Sequence, residues 1–253
     1  MSLAEALAVL AAGVAAGTIN VVVGSGTLIT FPVLLAVGYP PVLANVSNTV
    51  GLVPGSASGA IGYRAELAGQ RQRLLRLGTA STAGAVLGAA ALLTAPEDAF
   101  QAIVPVLIAL ACVLVVVQPR LSPWLAARGR TDRQHGGALL YVGVLLTGIY
   151  GGYFGAAQGV LLIAVMGLLL DENLQRINAA KNVLAGLVNL VAGIVFALVA
   201  HVAWGAALLI AVGSMVGGVL GARYGRRLPQ EVLRRVVIVG GTIVAVILAV
   251  RAV

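Results

Sequence analysis

The sequence predicts an all-α integral membrane protein, a polytopic helical bundle of two inverted-topology repeats, each with a glycine-broken helical hairpin. Three observations predict it. Apolar residues make up 60% of the 253 and charged residues 9%, with a mean hydropathy of +1.04, whereas a soluble domain is about 25% charged. The apolar residues fall in runs near the roughly 17 to 25 residues that cross a bilayer. The two halves of the chain, 1–125 and 126–253, repeat each other's glycine, asparagine and proline spacings.

The same numbers narrow the partners. The net charge is +8, but the basic residues lie between apolar runs, where they act as topology signals rather than as a nucleic-acid face. The expected partners are the lipid bilayer and a small solute, with no nucleic acid. Cys112 is the single cysteine, so the chain has no internal disulfide and no CxxC metal site. The opening MSLAEALAVLAAG carries Glu5 and no basic n-region, so it reads as the first span rather than a signal peptide.

In order, the first run covers about Leu3 to Val23, stops at Gly24-Ser25-Gly26-Thr27, and continues as a shorter piece to Val37. After Gly38-Tyr39-Pro40-Pro41 a span runs to about Gly62, followed by a basic loop with Arg64, Arg71, Arg73 and Arg76. Spans from Leu77 to Thr94 and Phe100 to Val117 flank Pro96-Glu97-Asp98, and a polar loop then covers 118–137. Two apolar pieces, about Ala138 to Phe154 and Gly159 to Leu170, surround a second glycine-rich corner. Spans from Ile177 to Ala200 and Ala203 to Ala222 follow, then an arginine-rich loop and a last span, Val236 to Val250.

The repeat rests on spacing. Gly17 and Gly24 match Gly148 and Gly155 at an offset of 131. Asn45 and Asn48 match Asn178 and Lys181, and Gly84, Gly88 and Pro96 match Gly217, Gly221 and Pro229, at an offset of 133. A two-residue insertion after the corner reconciles both. The loops at 64–76, 118–137, 171–181 and 223–235 hold every Arg and Lys except Arg251, which places them in the cytoplasm. The acidic loop at 96–98 then lies outside, while its partner around Pro229 lies inside. Equivalent loops on opposite sides define an inverted repeat. Each broken hairpin is either two short spans or a re-entrant pair ending at mid-membrane.

Irregular backbone inside a membrane is tolerated only where protein or water satisfies it, and in transporters such breaks build substrate sites. At the first corner, Gly24, Ser25, Gly26 and Thr27 precede a short helix that Ser25 or Thr27 can cap, leaving an anion-binding N-terminus. The second corner offers the same geometry with Gly155 and Gln158. The alternative is that these glycines serve close packing. Asn45 and Asn48 open one long span, and Asn178, Lys181 and Asn182 open its counterpart; residues three apart share a helix face. Lys181 is the only lysine, and all eight acids fall at span ends or in loops. Its partner is therefore an anionic solute, or else the side chain reaches the cytoplasmic surface beside Arg176. Asn189 reads as helix–helix glue, as do Gly84/Gly88 and Gly217/Gly221. His135 and His201 fall on opposite sides. No catalytic or metal constellation is present, and no cofactor is expected.

The stretches GTINVVVGSGTLITFPVLLAVGYPPVLANVSNTVGLVPGS from Gly17, and GIYGGYFGAAQGVLLIAVMGLLL with LQRINAAKN between Gly148 and Asn182, resemble the sulfite exporter TauE/SafE family of membrane permeases. The likeness covers both halves. It implies transport of a sulfur oxyanion or organosulfonate across the bacterial inner membrane. Ser25 and Thr27 interrupt a first corner that is often a longer glycine run in that family. The expectation is a multi-pass secondary transporter of a small anion working by alternating access. The alternatives are an anion channel and a non-transport assembly protein.

Overall fold

Ser2 opens the first helix, α1 (Leu3–Val22), with a capping box: its hydroxyl accepts from the Glu5 backbone N–H and the Glu5 carboxylate accepts from the Ser2 N–H. The helix stops where Gly24 takes a left-handed φ of +89°, and the N–H groups of Val23 and Gly24 both bond the Ile19 carbonyl. Three residues on, α2 (Thr27–Ala36) begins. The structure, a computed structural model, describes residues 1–127 and 137–225, all helices and turns with no strand among them.

The run expected as one span from 41 to 62 is instead broken into α3 (Pro41–Gly51) and α4 (Val53–Gly62). Pro54 is the physical reason: it has no N–H to continue the ladder, and its ring crowds the preceding turn. The basic stretch is shorter as a loop than expected, because α5 (Arg71–Thr94) starts early enough to carry Arg71, Arg73 and Arg76 on its first turns. After the Pro96 turn, Glu97 and Asp98 open α6, where their charges complement the helix N-terminus. This helix runs Glu97–Ala127, so its backbone stays helical through ten residues expected to be loop.

In the second half, α7 (Gly137–Tyr153) ends as α1 does. Phe154 and Gly155 both bond the Tyr150 carbonyl, and Gly155 has φ +77°. Next come α8 (Gln158–Leu169), α9 (Leu174–Val199), started by Asn173 capping the Gln175 N–H, and α10 (Trp204–Tyr224). The span expected at Val236–Val250 and the loop around Pro229 lie outside the described residues.

Helices α1, α5, α6, α9 and α10 are long and apolar enough to cross a membrane, so the protein is multi-pass. At 1.5 Å per residue, α2 and α8, with 10 and 12 residues, reach only about 15 and 18 Å, roughly half a hydrocarbon core. Lipid gives helices no hydrophobic reason to associate, so close packing through small residues binds them. Helix α1 lies on α10 and α7 on α5. A Cβ at Gly217 would meet the Val14 carbonyl at 2.0 Å, and one at Gly84 would meet the Leu145 carbonyl at 2.4 Å. These two contacts are the same contact at the repeat offsets, and both glycine pairs are packing faces, as the sequence indicates.

Candidate functional site

The two glycine corners touch. The Gly159 N–H donates to the Gly24 carbonyl at 3.0 Å, joining the start of α8 to the end of α1. No side chain fits between them, since a Cβ on either glycine would lie 2.4 Å from the other's Cα. The start of α8 thus meets the Gly24 turn that leads into α2, with the positive end of the α8 dipole at the contact.

Neither helix takes the side-chain cap that the sequence offers. Gly26 and Ala157 occupy the N-cap positions, and neither makes a capping bond through a side chain. The expected caps do other things. The Thr27 hydroxyl accepts from the Asn48 amide at 3.2 Å, and Thr30, a residue not singled out from sequence, donates to the Asn48 carbonyl oxygen. Ser25 is 1% exposed and its hydroxyl has no partner among the described residues. Gln158, 3% exposed, folds against Gly151, and its Nε2 has none either.

The asparagines of the long helices cross from one half to the other. Asn45 on α3 donates to the carbonyl of Tyr153 at the end of α7, at 2.9 Å. Asn178 on α9 donates to the carbonyl of Val21 at the end of α1, at 3.3 Å. Each supplies a donor to a terminal carbonyl that the helix itself cannot satisfy. Their own Oδ1 atoms, and Nδ2 of Asn182, lack partners among the described residues.

Lys181 is 1% exposed. Its Nζ donates to the carbonyls of Asn20 at 2.9 Å and Val21 at 3.0 Å, at the negative end of the α1 dipole. Its stem lies against Gly159, where a Cβ would come within 2.8 Å of Cδ. The side chain does not extend to the surface beside Arg176, whose guanidinium instead bonds Glu172 and the Ala68 carbonyl. The structure thus gathers Gly24, Ser25, Gly26, Thr27 and Asn48 around the start of α2. It also brings Gln158, Asn178 and Lys181 to the start of α8 and the adjoining end of α1, while Asn45 and Gly155 stand at the second corner and Asn182 is buried on α9. Sequence reasoning missed the receiving carbonyls of Asn20, Val21 and Tyr153. The excess of polar side chains over side-chain partners in these spans was the available signal. Asn189 donates to the Ser56 hydroxyl, tying α9 to α4, which is the glue expected of it.

The two ends of the bundle differ. The turns before Pro41, Glu97 and Trp204 surround a cavity of about 420 Å³, lined by Pro40, Val46, Leu92, Glu97 and His201 among others. At the opposite end, Glu172 bonds Arg73 at 2.9 Å and Arg176 at 2.8 Å, and Gln70 donates to the Arg176 carbonyl. This ties the turn before α5 to the start of α9. Partial burial of Glu172 opposes ionisation, but its two arginines outweigh it and hold the carboxyl below its ordinary value.

Against known proteins, the family model for the sulfite exporter TauE/SafE matches residues 9–248. The chain belongs to that family. It is 28% identical over 240 residues to the probable membrane transporter protein ORF9 of Sinorhizobium, covering 93% of this chain and 87% of that one. It is 25% identical to the probable membrane transporter protein YfcA of Escherichia coli K12, covering 88% and 82%. A probable membrane transporter protein of Haemophilus influenzae is 26% identical, with 90% and 88% covered. No solved structure matches. A TauE/SafE protein is a membrane transporter, and the architecture of this one, with five candidate spans, is multi-pass.

Proposed function

We propose that this TauE/SafE protein is a secondary transporter of a small anion, a sulfur oxyanion or organosulfonate, working by alternating access in the bacterial inner membrane. The observation that carries the reading is the meeting of the Gly24 turn, which leads into α2, with the start of α8 beside a buried lysine. Beside that contact Ser25 and Gln158, and on α9 Asn182, hold buried donors without partners among the described residues. Buried donors left unpaired cost roughly 1 to 3 kcal/mol each, and an oxyanion satisfies several at once. The glycines serve both packing and the site, because the close approach that excludes side chains also bares the backbone. The sulfur chemistry comes from the family description.

Two inverted repeats, each with a re-entrant hairpin, explain the half-length of α2 and α8 and the equivalent corner bonds at Ile19 and Tyr150. The cavity beside Glu97 and His201 is the outer mouth of the pathway, and the Glu172 network closes the inner end. No catalysis is assigned to the chain. The test is uptake into proteoliposomes across a panel of sulfonates, sulfite, thiosulfate and carboxylates. Saturable uptake with counterflow of a sulfonate or sulfite is expected. Flux that rises without saturation makes the protein a channel, and no flux with any anion leaves an assembly role.

A further inference from the structure

A buried ammonium normally has a carboxylate. Lys181 has none among the described residues, where the acids Glu5, Glu66, Glu97, Asp98, Asp171 and Glu172 stand at span ends or in loops. What it has is two backbone carbonyls, those of Asn20 and Val21. Two acceptors match the two N–H bonds of a neutral amine. The third N–H exists only in the ammonium, and it finds no acceptor among the described residues. An unpaired full charge at this depth is costly. The arrangement is complete for the amine and becomes complete for the ammonium when an anion supplies the third acceptor.

Charged and titratable groups on the neighbouring elements do not change this. Helix α8 carries none and α1 has Glu5 at its far end, while α5 contributes Arg71, Arg73 and Arg76, all on its first turns. Helix α9 adds Arg176, paired with Glu172, and α10 adds Arg223 and Tyr224 at its last turn. The turn after α4 holds Tyr63, in the apolar cluster with Val21 and Ala179, then Arg64, exposed, and Glu66, half-buried; the remaining groups are the phenols Tyr141, Tyr150 and Tyr153 on α7.

We infer that Lys181 is the coupling site for a proton, so that one proton binds its Nζ lone pair as one anion binds beside it, and the pair crosses together. This rests on the transport reading above and adds its coupling ion. Anion and proton each raise the other's affinity by the same factor, as linkage requires. For a monovalent sulfonate the transported pair is neutral. The proton comes from the loading side and leaves on the other, Nζ returning to the amine held by the two carbonyls.

The test uses methanesulfonate, a permanent anion that cannot carry the proton itself. In proteoliposomes with an internal pH dye, the native protein should move about one proton per sulfonate, and a clamped membrane potential should not alter the rate. Lys181→Arg cannot release its charge, so its proton count per sulfonate should fall to zero whatever its rate. If that variant transports too slowly, calorimetric binding in two buffers of different ionisation enthalpy gives the same count: proton uptake for the native protein, none for Lys181→Arg. Proton-free sulfonate uptake by the native protein, or a variant that keeps the count, overturns the inference. Absence of any anion flux in the native protein overturns the transport reading instead.

Discussion

At the same place in each half, on the helix after the hairpin, the chain holds Asn45 with Asn48 on α3 and Asn178 with Lys181 on α9. The first member of each pair behaves alike. Asn45 reaches the last carbonyl of α7, and Asn178 reaches a terminal carbonyl of α1. The second members part company. Asn48 stays in its own half, bonded to Thr27 and Thr30 at the start of α2. Lys181 crosses to α1 and brings a titratable amine with it. One frame serves both halves, and one difference within it separates a structural hydrogen-bond node from the proposed anion site.

The frame itself gives the largest expected effect. Gly159→Val puts a branched side chain where Gly24 and the Lys181 stem already sit; overpacking of this order costs about 1 to 3 kcal/mol and occasionally more. Loss of folded protein in detergent size-exclusion chromatography is expected, with no transport from the remainder. A stable, active Gly159→Val would show that the corners need not touch.

Next is the charge. Lys181→Ala should weaken sulfonate binding by roughly ten- to hundredfold, since hydrogen bonds to charged groups contribute about 1.5 to 3 kcal/mol. Asn48→Ala should weaken it less, and calorimetric titration of the two variants reads the difference. Equal losses would erase the distinction between the halves.

Smaller still are the crossing amides. Asn45→Ala should lower stability by about 1 kcal/mol, because the Tyr153 carbonyl loses its amide donor, and Asn178→Ala by less, because Lys181 still donates to the Val21 carbonyl. Thermal unfolding in detergent checks this, and equal losses would show that Lys181 does not make up for the missing amide.

Glu172 gives the smallest effect and a pH signature. Its carboxyl ionises more readily in the folded protein than in the unfolded chain. Its stabilisation is therefore complete above the ordinary carboxylate value and fades as pH falls through the depressed one. Glu172→Gln should be less stable than the native protein near neutrality, with the gap in thermal midpoint closing in strong acid. A gap that stays constant with pH would mean that the arginines bind the side chain without regard to its charge.

Much of this was legible in the residues. Hydrophobic runs located α1, α5, α9 and α10 to within a few positions at most ends, because a membrane span needs length and little else. Gly24 and Gly155 announced both corners, since few other residues accept a positive φ cheaply. What spacing could not show was contact between halves. That Gly24 meets Gly159, or that Asn45 finds Tyr153, depends on how helices far apart in sequence pack. The break at Pro54 lay inside an apolar run, 41–62, long enough to read as one span. The reach of α6 to Ala127 was hidden because 118–137 is polar, and polarity marks where a span leaves the membrane without showing where its helix ends.

The carbonyls at the end of α1 also set a clock during synthesis. Asn20 and Val21 are made about 160 residues before Lys181, which satisfies them. At roughly 5 to 20 residues per second, the first hairpin waits about 10 to 30 s for its partner. For that interval the carbonyls of Asn20, Val21 and Gly24 depend on water, so the tip of the first hairpin has to stay hydrated until the second half arrives.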